Sequence, residues 1–252
     1  MVGMLLWRSP REGKRQKRVL LSERTVLHMR FACAEIERNE KTPEALLRRR
    51  VQTAAKRLRK QGVTRVVLPD GFGFGEQLEK QGLRPVSTLP LRRALAGDWV
   101  RSAMAARGLT GGSAKVAVSG KQLTGEMVRT VTELALGNRY VLLDLPYGGE
   151  DLCRQLRRDY GVSLLLGPGK DQLEGADVLL LFDPREDLKC GNPVVLRLYG
   201  EEAGTMPPLV LPPALEEQLP EGCGRGPLLA ALREAGALRP GQITVGALAS
   251  AA

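Results

Sequence analysis

The sequence predicts an α/β protein in two lobes, on three observations. Apolar runs of strand length alternate with amphipathic stretches of helix length along most of the chain, the pattern of a parallel sheet flanked by helices. Glycines such as Gly62, Gly108 and Gly161 close the helical stretches, as expected just past a helix end. The small, polar stretch Leu109–Ser113 divides the alternation into two halves and reads as a hinge. The expected layout is a basic, disordered tail at 1–18 and an α/β lobe at 19–108 that ends in a long bridging helix. A second lobe at 109–200 should hold a mostly parallel sheet with helices on both faces. A Pro/Gly-rich segment with one helix occupies 201–252.

In order, Arg24–Cys33 is expected as a strand. Thr42-Pro43-Glu44 then opens a helix, with a hydroxyl cap, a proline in the first turn and an acid near the positive helix end. Leu47, Val51, Ala54 and Leu58 share one face of that helix. Val63–Leu68 is a buried strand, and Arg84–Ser87 an extended piece. Leu91, Leu95, Trp99, Ala103 and Ala106 mark the bridging helix. In the second half, strands are expected at Lys115–Ser119, Tyr140–Leu145, Val162–Leu166 and Asp177–Phe182. Helices fall at Gln122–Leu136 and Glu150–Tyr160, with a last helix at Gly226–Gly236.

Composition sets limits on function. Of 252 residues, 43% are hydrophobic and 26% charged, as in ordinary globular proteins. No run approaches the roughly 18 apolar residues of a membrane span. The first residues carry their charges after a short apolar core, the reverse of a secretory signal, so a cytoplasmic location is expected. Cys33, Cys153, Cys190 and Cys223 are widely spaced and His28 is the only histidine, which argues against a zinc site and for reduced thiols. The net charge of +10 is uneven. Residues 1–60 hold 17 Lys/Arg against 6 Asp/Glu, and the other 192 residues hold 21 against 22. Such a block suits either nucleic-acid phosphates or a solvated tail with a basic helix face.

The candidate site is the stretch VAVSGKQLTGEM at 116–127. Gly120 and Gly125 hold the first and third glycine positions of a dinucleotide-binding turn between a strand and a helix, and Gln122 stands at the middle position. Lys121 can offer a phosphate a charge. Asp144, 24 residues after Gly120, ends the next strand. On these residues the stretch 110–200 resembles the Rossmann-like dinucleotide-binding superfamily. With its preceding lobe it also resembles shikimate dehydrogenases and glutamyl-tRNA reductases in architecture, without the catalytic motifs of either. The resemblance implies that Gly120 and Gly125 frame a pyrophosphate and that Asp144 holds the adenosine ribose, favouring NAD over NADP. The departure at Gln122 puts a side chain where phosphate oxygens approach a helix N-terminus.

Other features offer less. Asp70-Gly71-Phe72-Gly73-Phe74-Gly75 lacks a cation, and its phenylalanines suit packing better than phosphate binding. Asp183, Glu186 and Asp187 are oxygen ligands of the kind magnesium takes, with Arg185 among them to oppose a cation. Cys190 and Cys223 lie in glycine-containing loops and read as exposed thiols. The residues thus favour a non-catalytic ligand- or partner-binding protein or scaffold. The alternatives are an NAD(P)-dependent oxidoreductase with its cleft between the lobes, and a nucleic-acid binder acting through the first 60 residues.

Overall fold

In a computed structural model, residues 1–10, 18–39, 41–200 and 208–246 are described. Most of the basic run of the expected tail, 11–17, lies outside them. The chain forms two compact units, Met1–Thr88 with Leu211–Ile243, and Leu89–Val210 with Thr244–Ala252. These bounds differ from those expected at 18, 108 and 200.

The first unit begins with a strand where a tail was expected. β1 (Val2–Arg8) is the centre of a five-stranded sheet ordered β2-β3-β1-β4-β5, with β2 (Val19–Val26), β3 (Met29–Glu37), β4 (Arg65–Val67) and β5 (Arg84–Pro85). β1 runs parallel to β3 and β4, and only β2 is antiparallel. The strand expected over Arg24–Cys33 is instead the tip of the β2–β3 hairpin. Leu27 and His28 make its two-residue turn at φ +47° and +70°, the doubly left-handed turn that matches strand twist. Neither residue is the glycine or asparagine usual there. Helix α1 (Glu44–Lys60) buries Leu47, Val51, Ala54, Ala55 and Leu58. The last four pack on Leu5, Ala34, Ile36 and Val66 of the sheet, together with Leu78 of α2 (Gly75–Glu79). Thr42 does not cap α1: Pro43 holds that position, and the Thr42 hydroxyl bonds to Asn39.

The second unit opens with α3 (Leu89–Ala94) and α4 (Ala96–Ala105), two helices where one bridging helix was expected. The break is at Leu95, whose ψ of 10° leaves the helical range. There follow β6 (Lys115–Ser119), α5 (Gly125–Gly137), β7 (Tyr140–Asp144), α6 (Gly149–Tyr160), β8 (Leu165–Leu166), α7 (Lys170–Glu174), β9 (Val178–Leu181), β10 (Val194–Arg197) and β11 (Leu209–Val210). β6 to β10 form an all-parallel sheet ordered β10-β9-β6-β7-β8. In chain order this is 5-4-1-2-3, the doubly wound arrangement, and its order reverses between β6 and β9. Alternation along each strand assigns the faces. Val116, Val118, Val141, Leu143, Val178 and Leu180 meet residues of α4, α5 and α6. Ala117, Leu142, Leu179 and Leu181 meet Leu173 of α7. The second unit is therefore Rossmann-like, with helices on both faces.

The chain returns to the first unit as α8 (Pro213–Glu216) and α9 (Arg225–Glu234), then to the second as β12 (Thr244–Val245), antiparallel to β11. α9 is tied beside β4 by an Arg65–Glu234 ion pair at 2.6 Å, and the preceding Gly224 N–H donates to the Leu68 carbonyl at 2.7 Å. Among the described residues no helix is long and apolar enough to cross a membrane.

The stretch expected as a hinge lies inside the second unit and is tied down. Ala114 N–H donates to the Thr110 carbonyl at 2.9 Å and Arg139 N–H to the Gly111 carbonyl at 2.7 Å. A Cβ at Gly111 would stand 2.0 Å from the Gly137 carbonyl oxygen, whereas one at Gly112 would meet nothing closer than 4.0 Å. Gly111→Ala should therefore cost about 1–3 kcal/mol, as overpacking against backbone does. Gly112→Ala should stay within about 0.5 kcal/mol. Urea denaturation of the two variants measures the contrast.

Candidate functional site

The candidate turn leaves the carboxyl end of β6 where the strand order reverses, the place at which open α/β sheets receive ligands. Gly120 is buried, and a Cβ there would stand 2.9 Å from Met127 Cε and 3.4 Å from Phe182 Cβ. The glycine is thus needed for close approach of helix to strand. Gly125 has no such role, since nothing lies within 4 Å of its would-be Cβ. It is the first residue of α5, capped by Thr124, whose hydroxyl accepts from Met127 N–H at 3.2 Å. Lys121 and Gln122 are both exposed.

The first two backbone donors of the turn are already engaged. Gly120 N–H donates to the Asp144 carbonyl at 3.1 Å. Lys121 N–H donates to Asp183 Oδ2 at 2.7 Å. In a dinucleotide site such a donor is offered to pyrophosphate oxygens; here a carboxylate of the same chain receives it.

The ribose position is engaged as well. Asp144 ends β7 and accepts at Oδ2 from the fully buried Ser119 hydroxyl at 2.7 Å and from Arg185 Nη1. The same Nη1 donates to Ser119 Oγ at 2.8 Å. The other edge of the guanidinium grips Asp187, Nε to Oδ1 at 2.8 Å and Nη2 to Oδ2 at 2.9 Å, the paired geometry that favours arginine over lysine. Arg185 and Asp144 keep only 24% and 23% of their side-chain surface exposed, so neither charge could lose its partner cheaply. Leu188, buried just beyond, anchors the loop.

The structure places Gly120, Lys121 and Asp144, which the sequence singled out, as neighbours on one sheet edge. The sequence did not point to Arg185 as the partner of Asp144 or to Asp183 as the acceptor for the turn. The available signal was an arginine two residues past the strand-end acid of β9. Among the described residues no group of three His, Cys, Asp or Glu side chains gathers to hold a metal ion.

Remaining candidates fall elsewhere. Phe72 and Phe74 pack with Trp7, at ring separations of 5.8 and 6.1 Å, so the glycine-rich loop is anchored by its aromatics. His28 is an exposed turn residue. All four cysteines are free, and Cys223 is buried where an exposed thiol was expected. Burial pushes the thiols of Cys33 and Cys223 up, away from the reactive thiolate.

No protein-family model matches the chain, and no curated protein does. Solved structures show partial likeness. L-tryptophan dehydrogenase from Nostoc punctiforme is 13% identical over 60% of this chain and 44% of its own, at a TM-score of 0.27. D-lactate dehydrogenase with NAD+ from Lactobacillus jensenii is 12% identical over 61% of this chain and 56% of its own, at 0.26. Ornithine transcarbamoylase from Giardia lamblia is 13% identical over 71% of this chain and 61% of its own, at 0.29. The chain spans less than two thirds of the length of each. The Rossmann-like assignment of the second unit rests on its strand order.

The Arg185 fork draws the Asp187 carboxyl down to about 2 from 3.8. A depressed carboxyl favours the folded form fully above its ordinary value, and this contribution fades as pH falls from about 4 towards 2. A carbon-detected NMR titration of Asp187 should therefore have its midpoint near 2. In Arg185→Ala the midpoint should return to the ordinary carboxylate range, with a stability loss of about 1–3 kcal/mol from the hydrogen bonds left unmade.

Proposed function

We propose that the chain is a cytoplasmic, non-catalytic binding or scaffold protein whose Rossmann-like unit has given up its nucleotide. The observation that carries this reading is the double internal occupancy of the turn. Asp183 takes the backbone donor that a pyrophosphate would use, and Arg185 takes the acid that would hold the adenosine ribose. A dinucleotide would have to displace both, stranding a carboxylate and a guanidinium in a half-buried crevice. Gln122 turns out to be exposed; the obstacle to a cofactor is the loop after β9.

Thermal unfolding against NAD and NADP tests this reading. A ligand at about 100 times its dissociation constant adds roughly 2.7 kcal/mol of stability, which is easily seen. The expected result is no shift with either dinucleotide. A shift that disappears in Asp144→Ala would restore the reading as an NAD(P)-dependent oxidoreductase, in which Gly120, Lys121, Gln122, Gly125 and Asp144 hold the cofactor.

A second reading, nucleic-acid binding, is favoured by one specific feature. Arg49, Lys56 and Lys60 are exposed on α1 and lie at spacings of seven and four residues, along one face. If this face meets phosphates, binding to a duplex should weaken steeply with salt, by a log–log slope of about −0.9 per phosphate neutralised. The triple variant R49Q/K56Q/K60Q should reduce that slope by about two to three. Removal of residues 1–18 is no substitute, because it takes away the central strand β1. An unchanged slope in the triple variant eliminates this face.

A further inference from the structure

The first unit carries a built cavity that the nucleotide question leaves untouched. It lies outside the carboxyl ends of β1 and β3, beside the entry to α1, and measures about 700 Å³. That size falls within the range of small-molecule sites, and the carboxyl edge of a mainly parallel sheet is where such sites form. The sheet places its lining residues. Trp7 and Arg8 end β1, and Arg38 N–H continues the β1–β3 ladder by donating to the Arg8 carbonyl at 2.9 Å. Asn39, Lys41 and Thr42 then wrap round towards α1. No carboxylate is among the described lining residues.

Several donors around this cavity have no partner among the described residues. Trp7 Nε1 is buried without a hydrogen-bond partner, a state that ordinarily carries a cost. Arg38 lies over the Trp7 ring at 5.0 Å, with no ion pair or hydrogen bond from its guanidinium among the described residues. Lys41 likewise has no carboxylate partner among them. Asn39 uses its Oδ1 to accept from the Thr42 hydroxyl, which leaves its amide N–H groups available. Trp7 also stacks on Phe72 and meets Phe74 edge-on, so the indole cannot swing away without breaking the three-ring cluster. Pro10 and Leu47 add apolar wall.

We propose that this cavity binds a small organic phosphate. The charge is held by Arg38 and Lys41, whose donors suit a phosphate's oxygens. The amide of Asn39 supplies neutral hydrogen bonds, and the Trp7 ring forms a wall of the site. The cavity is far larger than inorganic phosphate, so an organic body occupies the remainder against Trp7, Pro10 and Leu47. The proposal concerns the first unit and stands whether or not the Rossmann-like unit binds a dinucleotide.

The test is a titration of the full-length protein with phenyl phosphate, read at the two tryptophan indole N–H signals and assigned with Trp7→Phe. The expected result is a saturable shift of the Trp7 signal, with that of Trp99 unmoved. Lys41→Gln and Arg38→Gln should each weaken binding at least tenfold. Lys41 is exposed, so its variant keeps the test valid if the Arg38 variant misfolds. Inorganic phosphate should bind more weakly than phenyl phosphate. Absence of a saturable Trp7 shift, or equal binding in the Lys41 variant, overturns the proposal. So does a Trp7 shift produced by phthalate or by a single-stranded oligonucleotide but not by phenyl phosphate.

Discussion

One guanidinium organises the carboxyl edge of the Rossmann-like sheet. Arg185, on the loop leaving β9, reaches the side chain that ends β6 and the one that ends β7, and holds Asp187 of its own loop. Two strands and a loop that diverge at the point of strand-order reversal are thereby fastened together. That point is where a doubly wound sheet otherwise opens a crevice. The cost of burying charge there is met because each partner is satisfied: Asp144 by a hydroxyl and a cation, Arg185 by two carboxylates and a hydroxyl. Asp183 completes the closure by accepting from the turn itself. At this edge the strand-end side chains are partnered within the chain.

The two units treat the same edge of a parallel sheet in opposite ways. In the second unit, opposite charges meet one another and the Gly120 and Lys121 N–H groups of the turn are spent. In the first, Arg38 and Lys41 line a cavity without a carboxylate partner among the described residues. The aromatic cluster of Trp7, Phe72 and Phe74 gives that cavity a rigid wall, and the hydrogen bond from Arg38 to Arg8 sets its basic residues side by side. Strand order alone does not distinguish a closed edge from an open one; the side chains at the strand ends do.

Much of the fold was legible in the sequence. The apolar runs at 115–119, 140–144 and 178–181 are buried on both faces and carry the unbroken hydrophobic signal of parallel strands. The helices between them announced themselves by period and by their closing glycines. Three features escaped. β1 was hidden because its run from Val2 to Trp7 is followed at once by basic residues, so a central strand resembled the start of a tail. The hairpin at Leu27-His28 was hidden because its left-handed turn uses neither glycine nor asparagine. The helix break at Leu95 has no proline or glycine to mark it. At the site, Gly120 and Asp144 were visible through spacing, but Arg185 was not. Its partners lie 66 and 41 residues away, and only the sheet brings them together.

Without any ligand, the Lys121 N–H is already taken by Asp183. Amide hydrogen exchange at Lys121 tests it most directly. Strong protection of that amide is expected without any added nucleotide, lost selectively in Asp183→Ala while the strand amides of β6 stay protected. Rapid exchange at Lys121 in the unmodified protein would contradict it, because the turn would then stand open to solvent and free to receive a phosphate.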